Sequence, residues 1–144
     1  MTREELEHII RASADITGQY EFIIVGSQAI LGAVPNPEPV FTMSAEADIY
    51  PLQAPELSDR IDGAIGEGSQ FHETHGYYAQ GVGPETAVLP AGWLQRVHRV
   101  QNDWVMSPLI LMDVYSRPGA DHLARNVPIW AKSLKTGHFR RHAV

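Results

Sequence analysis

Residues 22–50 read FIIVGSQAILGAVPNPEPVFTMSAEADIY, and this stretch decides the fold of the chain. It contains an apolar run, a Gly-Ser turn, a short helical pattern, a proline-rich loop and a second β-rich run. Side chains alternate along a strand, so Glu46 and Asp48 in the second run point from the same face. The intervening Ala47 is small and apolar, and it is expected to face the core. The stretch therefore predicts two strands, the second of which carries a pair of carboxylates on one face.

The carboxylate pair and the Gly-Ser turn together suggest a divalent cation beside a phosphate. Glu46 and Asp48 offer the hard oxygen ligands that Mg²⁺ takes in proteins, with substrate phosphates and waters as its other ligands. Gly26 permits close approach of a phosphate to the backbone, and Ser27 can donate both an O–H and an N–H. The alternatives are solvent-facing acids on a half-exposed strand and an ordinary tight turn in which Ser27 caps a helix.

Local patterns place the other elements in an α+β domain with a mixed β-sheet flanked by helices. Thr2 and Glu5 predict a capping box at the start of a helix that Gly18 ends. Further helices are predicted at 28–31, 56–65, 108–115 (with Ser107 as cap), 121–126 and 129–135, and strands at 20–25, 40–50 (strongest at 45–50), 71–75, 77–82, 93–100 and 104–106. We expect the whole chain, residues 1–144, to form a single domain.

Composition and charge restrict the classes of function. The chain of 144 residues has no cysteine, which excludes disulfide frameworks, thiolate zinc sites and cysteine nucleophiles. Residues 1–124 hold 6 basic and 17 acidic residues, a net charge of −11, whereas the tail at 125–144 has five basic residues and no acid. We therefore expect nucleic acid to bind only through the tail, unless the tail simply neutralises the acidic body. No apolar run predicts a membrane span, and a cytoplasmic location is expected.

Two stretches resemble the nucleotidyltransferase superfamily. FIIVGSQAI followed by SAEADIY is similar to its pattern of an apolar strand, a Gly-Ser turn, a short helix and a strand carrying acid-x-acid. The segment from Leu89 to Trp93 (LPAGW), with Arg96 and then Val105–Pro108 (VMSP), resembles an uncharacterised bacterial nucleotidyltransferase-like family. That family is related to the nucleotidyltransferase partners of abortive-infection and toxin–antitoxin modules. The resemblance covers roughly residues 20–117.

The resemblance implies a function and its site. Gly26 and Ser27 would bind a nucleoside triphosphate, and Glu46 and Asp48 would be the catalytic carboxylates that hold Mg²⁺. The protein would transfer a nucleoside monophosphate to a hydroxyl of a protein or an RNA. GSQAILG lacks the patterns of a dinucleotide fingerprint and of a P-loop, so neither of those phosphate sites competes with this interpretation.

Departures from the family pattern favour an alternative function. The third metal-site carboxylate of active members, the general base, lies on a later strand, here predicted at 77–82 (YYAQGV), which has no acid. In the helix expected after Ser107, Leu109 and Ile110 stand near the position of the family's acid and Tyr115 near that of its lysine. The alternative is a catalytically degenerate module of a toxin–antitoxin-like pair, which would have a protein partner.

Other polar clusters offer weaker candidate sites. His72, Glu73 and His75 in HETH lack the spacing of the H-E-x-x-H zinc motif, but they could share a helical face around Zn²⁺. An exposed polar turn is the competing interpretation of this segment. Asp113, Asp121 and His122 are expected to lie on solvated helix surface.

Overall fold

The computed structural model describes residues 1–34, 36–85, 91–101 and 108–111. Four helices, α1 to α4 in chain order, span Arg3–Thr17, Ile30–Ala33, Ser58–Ile65 and Gln70–His75. Five strands, β1 to β5, span Phe22–Val25, Glu46–Pro51, Tyr78–Gly81, His98–Gln101 and Pro108–Leu111. Short 3₁₀ turns occupy Ser27–Ala29, Pro39–Phe41, Pro55–Leu57 and Trp93–Arg96. The described part of the chain therefore has the predicted α+β composition.

The five strands form one mixed sheet in the order β3-β2-β1-β5-β4. Strand β1 lies at the centre, antiparallel to β2 and parallel to β5. Strand β3 runs parallel to β2, and β4 runs antiparallel to β5. All four residues of β1 are buried, as expected for a continuous apolar run with a strand on each side.

One face of the sheet packs against α1 and α3, and we call it the packed face. Its buried strand residues are Phe22, Ile24, Ala47, Ile49 and Ala79. Helix α1 contributes Leu6, Ile9, Ile10 and Ala14 to this core, and α3 contributes Ile61 and Ile65. The predicted capping box of α1 is present, and Gly18 adopts the left-handed conformation that ends the helix.

The opposite face carries Glu46, Asp48 and Tyr78, and we call it the carboxylate face. Alternation along β2 puts Tyr50 on this face as well, in a smaller apolar cluster with Ile23, Val25 and Val82. Leu52, Trp93 and Val97 pack against that cluster. The carboxylates therefore lie at the margin of a second, smaller core.

The segment at 71–75 is helical, so the predicted strand there is wrong. Its backbone forms α4, where the Ser69 hydroxyl accepts a hydrogen bond from the His72 N–H at 3.2 Å. Gly76 is left-handed and ends the helix. A capping serine before the segment and a terminal glycine after it outweigh the β-like composition of this short stretch. Strand β3 alone remains of the predicted β pair.

Residues 108–111 form strand β5, which contradicts the helix predicted from Pro108. The four residues PLIL pair with β1 on one side and with β4 on the other. The pairing with β1 joins residues far apart in sequence, so the local Ser-Pro signal for a helix start could not reveal it. The departures from the family pattern at Leu109 and Ile110 therefore concern strand positions.

The predicted strand at 93–100 is confirmed only at its end. Trp93–Arg96 forms a 3₁₀ turn, and the strand itself is His98–Gln101. The predictions for 104–106, 112–115, 121–126 and 129–135, and for the basic tail, lie outside the described residues. Within the described residues, no helix is both long enough and apolar enough to cross a bilayer.

Candidate functional site

The carboxylate pair lies beside the Gly-Ser turn. The antiparallel register aligns Val25 with Asp48, so the turn that follows Val25 begins next to this carboxylate. A Cβ built on Gly26 would lie 3.0 Å from Asp48 Oδ2. Glu46 shares the face of Asp48, and Ser27 is exposed next to Gly26. The fold thus brings all four predicted residues to one end of the β1–β2 pair.

The two carboxyl groups interact with each other. The pKa of Asp48 is raised from 3.8 to about 6, mainly because the group is partly buried. The negative charge of Glu46 and a hydrogen bond with its side chain raise this pKa further. A divalent cation would relieve the same repulsion that a proton relieves, and carboxylate oxygens are the donors that Mg²⁺ prefers. The donor set therefore fits a hard divalent cation.

Gly26 holds the turn in a conformation that other residues avoid. Its φ of 76° and ψ of −159° lie in a region that is essentially restricted to glycine. The chain then continues through the 3₁₀ turn Ser27–Ala29 into α2, so the predicted helix at 28–31 is a 3₁₀ turn followed by a four-residue helix. Helix α2 is too short for its dipole to be a strong anion site. Phosphate recognition would depend on the backbone of Gly26 and on Ser27.

Gln28 is a buried polar residue that the sequence patterns did not single out. Its side chain is 1% exposed, and its Nε2 lies 3.3 Å from Ser27 Oγ and 3.5 Å from the carbonyl oxygen of Phe41. A glutamine within the apolar segment QAIL was the available signal, because buried amides usually have a hydrogen-bonding role. The amide gives the Ser27 hydroxyl a neighbouring donor and thereby favours donation by that hydroxyl toward solvent.

Strand β3 contributes a second residue that the sequence patterns did not single out. It pairs with β2 so that Tyr78 lies across from Glu46 and Gln80 across from Asp48. The Tyr78 hydroxyl donates a hydrogen bond of 2.8 Å to Glu46 Oε2. This hydrogen bond to a carboxylate, together with burial, raises the pKa of Tyr78 to about 12. The alternation within YYAQGV could have identified Tyr78, but only once the pairing with β2 was known.

No third acidic ligand accompanies the pair in the part of the chain that the structure describes. There, no group of three His, Asp or Glu side chains is arranged to hold a metal ion. Strand β3 carries no acid, as predicted. Glu85 lines a groove of about 540 Å³ between the start of α3 and the segment after β3, and Gln80, Glu56 and Asp59 also line it.

The histidines of HETH contact different neighbours. The His72 ring lies against Tyr78, with centroids 4.5 Å apart, and its Nδ1 accepts a hydrogen bond from the Gly68 N–H. The His75 ring packs edge-on against His8 at 4.7 Å. The two histidine rings therefore pack against different aromatic rings, and they do not share a helical face around Zn²⁺ as the sequence suggested.

The resemblance to nucleotidyltransferases rests on sequence motifs. Comparisons with models of protein families, with curated proteins and with solved structures give no match. Of the second stretch of the resemblance, Leu89, Pro90 and 105–107 lie outside the described residues.

Proposed function

We propose that the protein is nucleotidyltransferase-like and binds a nucleoside triphosphate with Mg²⁺ at Gly26, Ser27, Glu46 and Asp48. The observation that carries this proposal is the distance of 3.0 Å between a Cβ built on Gly26 and Asp48 Oδ2. Asp48, which could hold a cation, is therefore a direct neighbour of the Gly26 backbone, which could receive a phosphate. A bound Mg²⁺–triphosphate would need carboxylate ligands for the cation close to the site that receives the phosphate, and Glu46 and Asp48 could supply these ligands beside Gly26.

The residues of the site would have different roles in binding. Glu46 and Asp48 would hold the cation through carboxylate oxygens. The Gly26 backbone N–H would approach a phosphate oxygen without an intervening side chain, and the Ser27 hydroxyl would donate to a phosphate oxygen, aided by Gln28 beside it. When bound, Mg²⁺ would neutralise part of the negative charge of the triphosphate. In the transfer, the acceptor hydroxyl of a protein or RNA would lose its proton and bond to the α-phosphorus while the bond from that phosphorus to the leaving pyrophosphate breaks. This displacement would need mainly positioning and charge stabilisation.

A second candidate keeps the nucleotide site without transfer. Tyr78 and Gln80 are the residues that β3 places across from the pair, and neither is an acid. Without a general base at these positions to deprotonate the acceptor hydroxyl, the site would bind a nucleotide and transfer it poorly. The protein would then be a regulatory module with a protein partner, such as one half of a toxin–antitoxin-like pair.

Calorimetry tests the binding that both candidates share. Each of the four ribonucleoside triphosphates is titrated into the wild type with and without Mg²⁺, and into Asp48→Asn. We expect Mg²⁺-dependent binding that Asp48→Asn weakens at least about 10-fold, because one of two metal ligands is lost. Asp59→Asn, which removes an exposed acid of the groove, is the matched control and should bind like the wild type. Absence of Mg²⁺-dependent binding to the wild type would refute the proposal.

Labelling then separates the two candidates. The wild type is incubated with α-³²P-labelled triphosphate, Mg²⁺ and either total protein or total RNA from the source cells. Label on a macromolecule that depends on Asp48 supports transfer. Mg²⁺-dependent nucleotide binding without label supports the regulatory module.

A further inference from the structure

Tyr78 donates a hydrogen bond to the carboxylate pair from the neighbouring strand. Its hydroxyl lies 2.8 Å from Glu46 Oε2, which is an ordinary length for an O–H···O bond to a carboxylate. The two residues are cross-strand neighbours on β3 and β2, so the backbone register fixes the distance between their Cα atoms. The contact therefore follows from the sheet and not from a chance rotamer on a loop.

The tyrosine ring is itself held in place from α4. The His72 ring lies against it with centroids 4.5 Å apart and planes inclined by 46°. His72 is fixed in turn by two hydrogen bonds at the start of α4, from the Gly68 N–H to its Nδ1 at 3.0 Å and from its own N–H to the Ser69 hydroxyl at 3.2 Å. Hydrogen bonds at the start of α4 therefore hold His72, and the His72 ring in turn restricts the orientation of the Tyr78 ring and its hydroxyl.

This arrangement has a consequence for Glu46. A glutamate has three side-chain torsions and loses much rotamer freedom when it binds a cation. The bond from Tyr78 occupies one lone pair of Oε2 and restrains the torsions before any ligand arrives. Oε1 and the remaining lone pair of Oε2 stay available to a cation. Outer hydrogen bonds of this kind orient metal ligands in proteins and strengthen metal binding.

We propose that Tyr78 is a positioning residue that fixes the Glu46 carboxylate for the divalent cation, with His72 holding the tyrosine ring. This inference rests on the proposed function, since it concerns the same site. It adds a residue on β3, a strand that offers the pair no third acid. The cation site would then have two carboxylate ligands, one of which accepts a hydrogen bond from the neutral Tyr78 hydroxyl.

The adjacent tyrosine offers a matched control. Tyr77 precedes Tyr78, and its hydroxyl lies 2.7 Å from His8 Nδ1, in a contact with α1 instead of β2. Tyr77→Phe and Tyr78→Phe each delete one hydroxyl from a half-buried ring and keep the ring. A difference between the two variants therefore reports the contact with Glu46 and not the general effect of losing a hydroxyl.

The test measures Mn²⁺ affinity by electron paramagnetic resonance in the presence of ATP. We expect Tyr78→Phe to weaken Mn²⁺ binding about 10-fold, the effect typical of an outer-shell partner. Tyr77→Phe should stay within about 2-fold of the wild type, as for a substitution remote from the site. Thermal unfolding of each variant shows that the loss does not come from unfolded protein.

A double-mutant cycle provides a readout that a merely structural role would not change. Glu46→Gln removes the charge that Tyr78 positions, so Tyr78→Phe should cause little further loss of Mn²⁺ affinity in that background. An equal loss in both backgrounds would overturn the inference. So would wild-type affinity in a folded Tyr78→Phe variant.

Ultraviolet difference spectra supply a second measurement. Addition of Mg²⁺ and ATP should perturb the tyrosine band in the wild type and in Tyr77→Phe, and the perturbation should be lost in Tyr78→Phe. An unchanged perturbation in Tyr78→Phe would contradict the inference. If the wild type binds Mn²⁺ with none of the four ribonucleoside triphosphates, the proposed function fails and this inference fails with it. If the wild type binds and Tyr78→Phe binds equally well, only the role of Tyr78 is refuted.

Discussion

Strand β2 presents two different chemistries on its two sides. On the packed face, Ala47 and Ile49 are fully buried against the core formed with α1 and α3. On the carboxylate face, Glu46 and Asp48 are half-buried, and they interact with each other and with Tyr78. The two faces differ by a shift of a single residue along one strand.

The comparison shows how a fold can accommodate two partly buried carboxylates that repel each other. Burying apolar side chains contributes about 25 cal/mol per Å² removed from water, so the packed face supplies stability. The carboxylate face opposes it, because two acids near one another in a partly buried place repel. The rigid strand that the packed face creates also holds the two carboxylates in one orientation. Substitutions on the two faces of β2 and in the adjoining turn should therefore differ in their effects on stability, on ligand binding and on the pH dependence of stability.

Ile49→Ala should have the largest effect. The residue is 0% exposed, and its truncation leaves a cavity between β2 and the helices. We expect the free energy of unfolding to fall by about 2–5 kcal/mol, the range for such truncations. Urea denaturation measures it, with Leu94→Ala as the control because Leu94 is 61% exposed. A loss below about 1 kcal/mol at Ile49 would mean that the packed face is not the main source of stability.

Gly26→Ala should have an intermediate effect and should also damage the site. The new side chain would need a backbone conformation restricted to glycine, at a cost of about 1–3 kcal/mol, and its Cβ would lie 3.0 Å from Asp48 Oδ2. Thermal unfolding and Mg²⁺–triphosphate titration should both report the change.

Gly63→Ala is the matched control for that substitution. Gly63 lies within α3, where a Cβ would meet no atom within 4 Å. Alanine there should stabilise the helix by about 0.5–1 kcal/mol. Equal stability changes at the two glycines would contradict the strained geometry of the turn.

The smallest effect is a dependence of stability on pH that comes from Asp48. Its pKa is raised in the folded protein from 3.8 to about 6, so the folded state binds this proton more tightly than the unfolded chain does. Stability should therefore fall as the pH rises from about 4 through 6. At this partly exposed group, solvent screening reduces the effect to the order of 1 kcal/mol.

Denaturation of the wild type and of Asp48→Asn at pH 4.5 and pH 7.5 measures this contribution. The variant should lose less stability between the two pH values, and Mg²⁺ at pH 7.5 should stabilise the wild type more than the variant. Identical pH dependence in the two proteins would show that the pKa of Asp48 is not raised in the folded protein. Asp59→Asn serves as the control for removal of an exposed negative charge.

Local patterns predicted α1, β1 and β2 well, although residues 39–41, at the start of the strand predicted at 40–50, form a 3₁₀ turn and β2 begins only at Glu46. Thr2, Glu5 and Gly18 marked the limits of α1, and the apolar run after them marked β1. These signals are contained within a few residues, because capping and side-chain alternation are local effects. The alternation at 46–48 is a local signal of the same kind, and it assigned both carboxylates to one face.

The strand predicted at 71–75 failed because local caps favour a helix there, whereas other predictions failed where pairing between strands decides the conformation. Residues 108–111 became a strand between β1 and β4, although a serine and a proline at their start suggested a helix. Gln28 and Tyr78 were missed because a polar side chain reveals its role only through its neighbours. For Tyr78, that neighbour lies 32 residues earlier in the chain.

The sequence by itself therefore determined that Glu46 and Asp48 point the same way and that Gly26 can form an open turn. Only the tertiary structure decided that these features meet. The antiparallel register sets Val25 against Asp48, and the parallel register sets Tyr78 against Glu46. Register depends on the burial of a whole face and on the turns between strands. The residues next to Glu46 and Asp48 in sequence therefore do not reveal which residues of β1 and β3 lie opposite them.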